Sequence, residues 1–246
     1  MSPGSLLQRG ASVVIPAFNE QDRIGATVTA ALRIDRIDLV VVVDDGSQDA
    51  TAERAEAQGA HVVRAPVNRG KAAAMELGAT EVAELENGAG VDPRPMLFLD
   101  ADLAETAVAG GLLLSPVLSG ESDMTIATLP TQSSAGGGRG FVVRLAREGI
   151  EQATGWRAEQ PLSGQRALTR RAFDASLPLA TGFGVEVGLS IDLLRKGFRV
   201  LEVPVPLHHR VTGRHWRAQR HRAKQFWAVW RALRARGVGP VLPFPR

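Results

Sequence analysis

Two short runs constrain this 246-residue chain more than anything else in it. Ala11–Ala17 (ASVVIPA) and Asp38–Val43 (DLVVVV) are nearly continuous apolar stretches of strand length, and both give way at once to polar residues, Asn19-Glu20 and Asp44-Asp45-Gly46-Ser47. Apolar runs of that length, without alternation, are what strands need when helices cover both faces of a parallel sheet. The intervening segments agree. Asn19–Arg33 sets Ile24, Val28, Ala31 and Leu32 at helical spacing, and a second helix is expected over about Gln48–Gln58, with Ser47 or Asp49 available to cap it. Ala60–Arg64 reads as a third strand, Asn68–Lys71 as a loop and Ala72–Leu85 as a helix. Asn87–Pro95, with two glycines and two prolines, reads as a surface loop before a fourth strand, Met96–Leu99, which ends at Asp100-Ala101-Asp102. Strand, loop and helix in alternation make the fold class α/β. The polar clusters follow strand carboxyl ends, where such sheets place their ligand crevice.

The second half is less regular. Strands are expected at Asp123–Thr128, Gln165–Leu168 and Phe198–Val203, the last stopped by Pro204 and Pro206. Helices are expected at Phe141–Ala153, Gly184–Lys196 and His215–Arg236. Pro130–Gly140 (PTQSSAGGGRG) reads as a substrate-facing loop.

Composition excludes several classes of function. With 44% apolar and 22% charged residues the chain can build an ordinary core rather than remain disordered. With no cysteine it has no disulfide, thiolate metal site or cysteine nucleophile, so any metal must rely on oxygen and imidazole. Met1–Gly10 lacks the apolar segment of a secretion signal and no run approaches a membrane span, so a cytoplasmic protein is expected. The net charge of +3 hides a division: residues 203–246 hold ten Lys/Arg and no Asp/Glu, whereas all 26 acidic residues lie before them, against 19 basic ones. A basic tail on an acidic body implies an anionic partner for the tail.

Asp100 and Asp102 bring two carboxylates together at a strand end, a pairing suited to a hard divalent cation that also takes diphosphate oxygens, though helix capping would use the same residues. Asp44 and Asp45 could accept hydrogen bonds from a base or ribose, or simply build the turn that Asp45-Gly46 favours. Asn68–Lys71 offers guanidinium, backbone and ammonium to phosphate, or is a solvated loop.

Four segments together carry a resemblance: Ser12–Ile24 (SVVIPAFNEQDRI), Val41–Thr51 (VVVDDGSQDAT), Asn68–Met75 (NRGKAAAM) and Phe98–Leu103 (FLDADL). In order and separation they resemble the family 2 nucleotide-sugar glycosyltransferases. The resemblance implies a GT-A-like fold with a mixed, mostly parallel central sheet flanked by helices. It also implies that Pro16, Ala17 and Glu20 border the nucleotide, that Asp44 or Asp45 holds the base or ribose, and that Lys71 approaches the diphosphate or base. By the same resemblance Asp102 would bind Mg²⁺ or Mn²⁺, while Asp100 contacts ribose or shares the metal shell. A narrower likeness, to the retaining glucosyl-3-phosphoglycerate synthases and their relatives, rests on Gly137-Gly138-Arg139, Pro161–Arg166 (PLSGQR), Thr181–Gly188 (TGFGVEVG) and Val205–Arg210 (VPLHHR). It implies that the glycine-bounded segment around Gly184 and Glu186 serves sugar and acceptor binding, with Glu186 beneath the sugar as a catalytic residue, and that His209, with His208 as alternate, reaches the metal. Arg139 and Arg166 are candidates for a phosphorylated or carboxylated acceptor, with Ser163 and Gly164 supplying donors beside them, and Asp102 and Arg166 join Glu186 as the candidate catalytic residues. Each has a plainer use: Glu186 as a first-turn carboxylate, the histidines and arginines as solvated surface groups.

The expected organisation is an extension over 1–10, a catalytic domain over 11–214, divided into a nucleotide-binding half (11–103) and an acceptor-side half (104–214), and a basic amphipathic helix and tail over 215–246. In the tail Trp216, Phe226, Trp227 and Trp230 alternate with arginines, which suits an anionic membrane face and a polyprenyl-phosphate acceptor, or packing against the body or a second subunit. The expected partners are therefore a nucleotide-diphospho-sugar donor and a small phosphorylated or lipid-phosphate acceptor. A noncatalytic nucleotide-sugar-binding protein is a rival. Nucleic-acid binding is a weaker one, since it leaves the carboxylate clusters without a purpose.

Overall fold

A computed structural model describes residues 10–129, 140–207 and 216–239, the last segment with side chains from residue 224 onward. Pro130–Arg139 and residues 208–215, which include Arg139, His208 and His209, lie outside the described residues.

The first apolar runs form the central strands. β1 (Ala11–Ala17) pairs in parallel with β2 (Ile37–Asp44), and β2 with β3 (His61–Arg64). Period-two alternation splits each strand between two cores. Val13, Ile15, Val40 and Val42 face one side, where they meet α1 (Ile24–Ala31) and a 3₁₀ stretch, Ala104–Leu113. Val14, Val41 and Val43 face the other, against α3 (Lys71–Gly88). The helix between them in sequence, α2 (Thr51–Glu56), follows β2. On α3, Gly78 lies so close to the sheet that a Cβ there would come 2.5 Å from Val14 Cγ1 and 2.9 Å from Val43 Cγ2, which is why a glycine interrupts an otherwise strong helix former.

β4 (Met96–Phe98) joins the free side of β1 in parallel. Beyond it come β6 (Arg166–Leu168), β5 (Met124–Thr128) and β7 (Val200–Pro204). Among the described residues the sheet has seven strands in the order β3-β2-β1-β4-β6-β5-β7, and β6 alone runs against its neighbours. The mixed, mostly parallel sheet flanked by helices is thus the architecture expected. Pro204 closes β7 at the sheet edge, where its missing N–H costs no interior ladder bond.

Several boundaries differ from the sequence reading. α1 begins at Ile24 rather than Asn19 because residues 19–21 are clasped to the 47–51 turn: Asn19 Oδ1 accepts from the Gln48 N–H (2.9 Å), and the Glu20 N–H donates to Thr51 Oγ1 (2.8 Å). Ser47 and Asp49 serve this clasp, accepting from the Asn19 and Gln21 N–H groups; the N-cap position is Ala50, and Asp49 satisfies the first helical N–H, that of Thr51, with its other oxygen (3.0 Å). The 3₁₀ stretch and α4 (Leu114–Leu118) were not anticipated, and α3 extends to Gly88.

In the second half of the chain α5 (Phe141–Thr154), α7 (Val185–Arg195) and α8 (Trp216–Ala235) share a third core built on Leu145, Ile150, Val187, Ile191, Val229 and Leu233. α6 (Arg170–Ala175) lies after β6 and is capped by Thr169, whose hydroxyl accepts from the Ala172 N–H. One face of α8 therefore packs on the body, as one of the two readings of the tail required. Phe226 and Trp230 pack against this core as well, whereas Trp227 is 57% exposed, in edge contact with both. No helix among the described residues is long and apolar enough to cross a membrane.

Candidate functional site

β1 leads by way of α1 to β2 on one side, whereas β4 lies on the other, so the strand order reverses between β1 and β4. That reversal leaves a crevice beyond their carboxyl ends. Pro16 and Ala17 end β1 on its rim, past the last β4 pair, Val14–Phe98. Glu20 follows in the clasped turn.

Of the two aspartates at the end of β2, Asp45 supports the loop that delivers Lys71 and Asp44 braces the turn that follows the strand. Asp45 accepts from the Arg69 N–H (2.8 Å) on one oxygen and the Gly70 N–H (2.7 Å) on the other, and Asp44 Oδ1 accepts from the Ser47 N–H (3.0 Å). Gly46, at φ +76°, passes under this loop: a Cβ there would meet Asn68 N at 2.8 Å. Both carboxylates are buried. Asp45 has thus used one acceptor position on each oxygen for the backbone, which is the turn-building use of the Asp-Gly pair extended to a second loop.

Lys71 opens α3 and reaches across the crevice. Its ammonium lies 2.7 Å from Asp100 Oδ1 and 3.3 Å from Glu186 Oε1, Glu186 being buried in the first turn of α7. Burial alone would lower the Lys71 pKa, but the Asp100 and Glu186 carboxylates more than reverse it and hold the ammonium above its ordinary 10.5. Gly164 lies directly beneath: a Cβ there would collide with Lys71 Nζ and come 3.1 Å from both Asp100 oxygens. Because β6 runs antiparallel to β4, its first residues arrive beside the carboxyl end of β4, and Gln165 Nε2 donates to Asp100 Oδ2 (2.5 Å). The sequence reading named Ser163, Gly164 and Arg166 on either side but passed over Gln165, because nothing in the segment marks an uncharged amide as facing a carboxylate 65 residues away.

Arg166 stands differently from the solvated anion binder its guanidinium suggested. It is 1% exposed, with Nε donating to Ser163 O (3.0 Å), Nη2 to Pro161 O (3.3 Å) and Nη1 to Ser190 Oγ (3.1 Å). Burial lowers its pKa to about 10, and the fields of Glu186 and Glu202 only partly offset this. Its reach is inward, holding the 161–163 carbonyls in place. Gly184 ends a 3₁₀ turn packed against α8, where a Cβ would lie 2.8 Å from Ala228 O and from Ala232 Cβ. Asp102 follows β4 with its backbone carbonyl accepting from Arg23 Nη1 (3.3 Å).

Asp100 and Asp102 supply hard oxygen donors, the chemistry that Mg²⁺ and Mn²⁺ prefer. Among the described residues no group of three or more His, Cys, Asp or Glu converges on one point; the histidine candidates, His208 and His209, lie outside those residues. The donor set fits such an ion.

Comparison with known proteins agrees with this fold. The model of Glycosyl transferase family 2 matches residues 12–174. A glucosyl-3-phosphoglycerate synthase of Mycobacterium tuberculosis is 32% identical over 207 residues, covering 75% of this chain and 60% of that protein, so the match spans less than two thirds of the relative's length. The glycosyltransferase AglJ of Haloferax volcanii is 27% identical over 82% of this chain and 64% of its own. The crystal structure of the M. tuberculosis synthase in complex with Mn²⁺, uridine diphosphate and phosphoglyceric acid superposes with a TM-score of 0.74 at 27% identity, covering 98% of this chain and 85% of that one. With its motifs on the rim of a GT-A crevice and two thirds of its length matched, the chain belongs to glycosyl transferase family 2.

Proposed function

We propose that this protein is a metal-dependent glycosyltransferase that moves a sugar from a nucleotide-diphosphate donor to a small phosphorylated acceptor. The observation that carries the reading is the convergence of Lys71, Asp100 and Glu186 at the carboxyl end of β4, two residues from Asp102. The donor is taken to be uridine diphosphate glucose and the acceptor a phosphoglycerate, as in complexes of the M. tuberculosis synthase.

In this scheme Pro16, Ala17, Glu20 and Asp44 border the nucleoside, while Asp45 acts through the loop that presents Lys71. Asp102 holds the Mg²⁺ or Mn²⁺ ion, with Asp100 in its shell and His209 as the further ligand. The bound cation offsets charge developing on the departing diphosphate. Lys71 adds a fixed positive charge beside the same oxygens, and Glu186 lies under the sugar. Arg139, Ser163 and Gly164 are the candidates for acceptor contact, Gly184 supports them by its close packing on α8, and Arg166 holds the 161–163 segment in register. A lipid-phosphate acceptor is the second reading, favoured by exposed Trp227 on a helix that also carries Lys224 and Arg234.

The test is hydrolysis and transfer from uridine diphosphate glucose, with and without Mn²⁺, against phosphoglycerate and polyprenyl phosphate. Transfer is expected to require the cation, to prefer phosphoglycerate and to vanish in Asp102→Ala. Full activity of that variant would remove the assigned metal role.

A further inference from the structure

We propose that Gln165 is a positioning residue of this site, acting through Asp100 by fixing the direction of its carboxylate and by contributing no charge of its own. The inference rests on the nucleotide-sugar reading above and names a residue that the reading does not use.

Three observations support it. Gln165 is completely buried, and its backbone is tied into the sheet, its carbonyl accepting from the Ala127 N–H (3.0 Å). The side chain therefore starts from a fixed point. Its amide nitrogen meets Asp100 Oδ2 at 2.5 Å while Lys71 meets Oδ1 at 2.7 Å, so two donors from different elements clamp the two oxygens of one carboxylate. The amide has one sensible orientation: a carboxylate only accepts, so the nitrogen faces Asp100, and the oxygen is left to the Ser163 hydroxyl at 3.4 Å.

The neutrality matters as much as the donor. Asp100 and Glu186 bring two carboxylates to a single ammonium, Lys71. An ionised carboxylate at position 165 could only accept, and would face Asp100 Oδ2 with no proton to give. An apolar side chain would remove this donor from Oδ2. A glutamine avoids both outcomes, and Gly164 beside it keeps the space in which the clamp sits.

The measurement is the affinity of uridine diphosphate for the full chain at saturating Mn²⁺, by calorimetry, in the parent, Gln165→Met, Asp100→Asn and the double variant. Loss of a hydrogen bond to a charged group predicts about tenfold weaker binding for Gln165→Met. If Gln165 works through Asp100, adding the substitution to Asp100→Asn changes affinity less than about twofold. Gln165→Asn keeps a buried amide but withdraws it by one methylene, and shows a loss like that of Gln165→Met, so the result stands even if the apolar variant fails to fold. Parent-like affinity in either folded variant, or an undiminished tenfold effect in the Asp100→Asn background, overturns the proposal. Failure of the parent to bind uridine diphosphate with Mn²⁺ instead overturns the nucleotide-sugar reading, and this inference with it.

Discussion

Replacing Lys71 with methionine removes the one ammonium in contact with both Asp100 and Glu186 while keeping the length and most of the volume of the side chain. At 2.7 and 3.3 Å, and an effective dielectric constant near 20, the two attractions are about 6 and 5 kcal/mol before any cost of burial. Desolvation of the ammonium and of the carboxylates takes back several kcal/mol. Lys71 and Asp100 also retain 27% and 30% of their side-chain exposure, so the full penalty for a buried orphan charge does not apply. A net loss of about 2–3 kcal/mol remains, which in a chain of this length lowers the melting temperature by about 4–12 °C. The sign with pH follows from the raised pKa. Because the folded Lys71 titrates above its ordinary 10.5, the stabilisation is complete at neutral pH and falls only as pH climbs past 10.5 toward the folded value. Denaturant unfolding of the parent and Lys71→Met from pH 7 to 11 checks both points. A variant as stable as the parent at pH 7, or a difference that shrinks well below pH 10, would refute the charge-pairing argument.

Three further outcomes are expected. Gly184→Ala forces a methyl to within 2.8 Å of Ala228 O and Ala232 Cβ, so it should cost about 1–3 kcal/mol in urea unfolding, with Ala232→Gly restoring part of the loss. Asp45→Asn leaves one carbonyl oxygen where two carboxylate oxygens accepted from Arg69 and Gly70, so stability should fall by about 1–2 kcal/mol and one of those two amides should exchange faster with solvent deuterium. Gly78→Ala should also destabilise despite its better helix propensity, because its methyl meets Val14 and Val43, and Val14→Ala in the same chain should recover part of the loss in a melting experiment.

Much of the first hundred residues was legible in the sequence. The runs around Val13 and Val41 are long enough for strands and apolar enough to need cover on both faces, and the polar residues after them could lie only at the carboxyl ends. Other features were less legible. The 3₁₀ stretch Ala104–Leu113 has neither helical nor alternating periodicity, and the start of α1 was displaced by hydrogen bonds from Asn19 and Glu20 to a turn some 30 residues away, which local propensity does not encode.

The sequence by itself determined the alternation of elements, the edge of the sheet on which chemistry would gather, and the residue types available there, because periodicity and turn chemistry are local properties of a chain. Tertiary structure alone decided what those residues do to one another. Arg166, a guanidinium with every appearance of an anion binder, is turned inward to hold backbone carbonyls, and Asp45 carries a loop. Gln165, which has no charge to attract notice, faces Asp100 because β6 runs antiparallel to β4 and delivers it to that strand's carboxyl end. Strand direction and register are set by the packing of the whole sheet, and they decide which side chains from distant segments come within hydrogen-bonding distance.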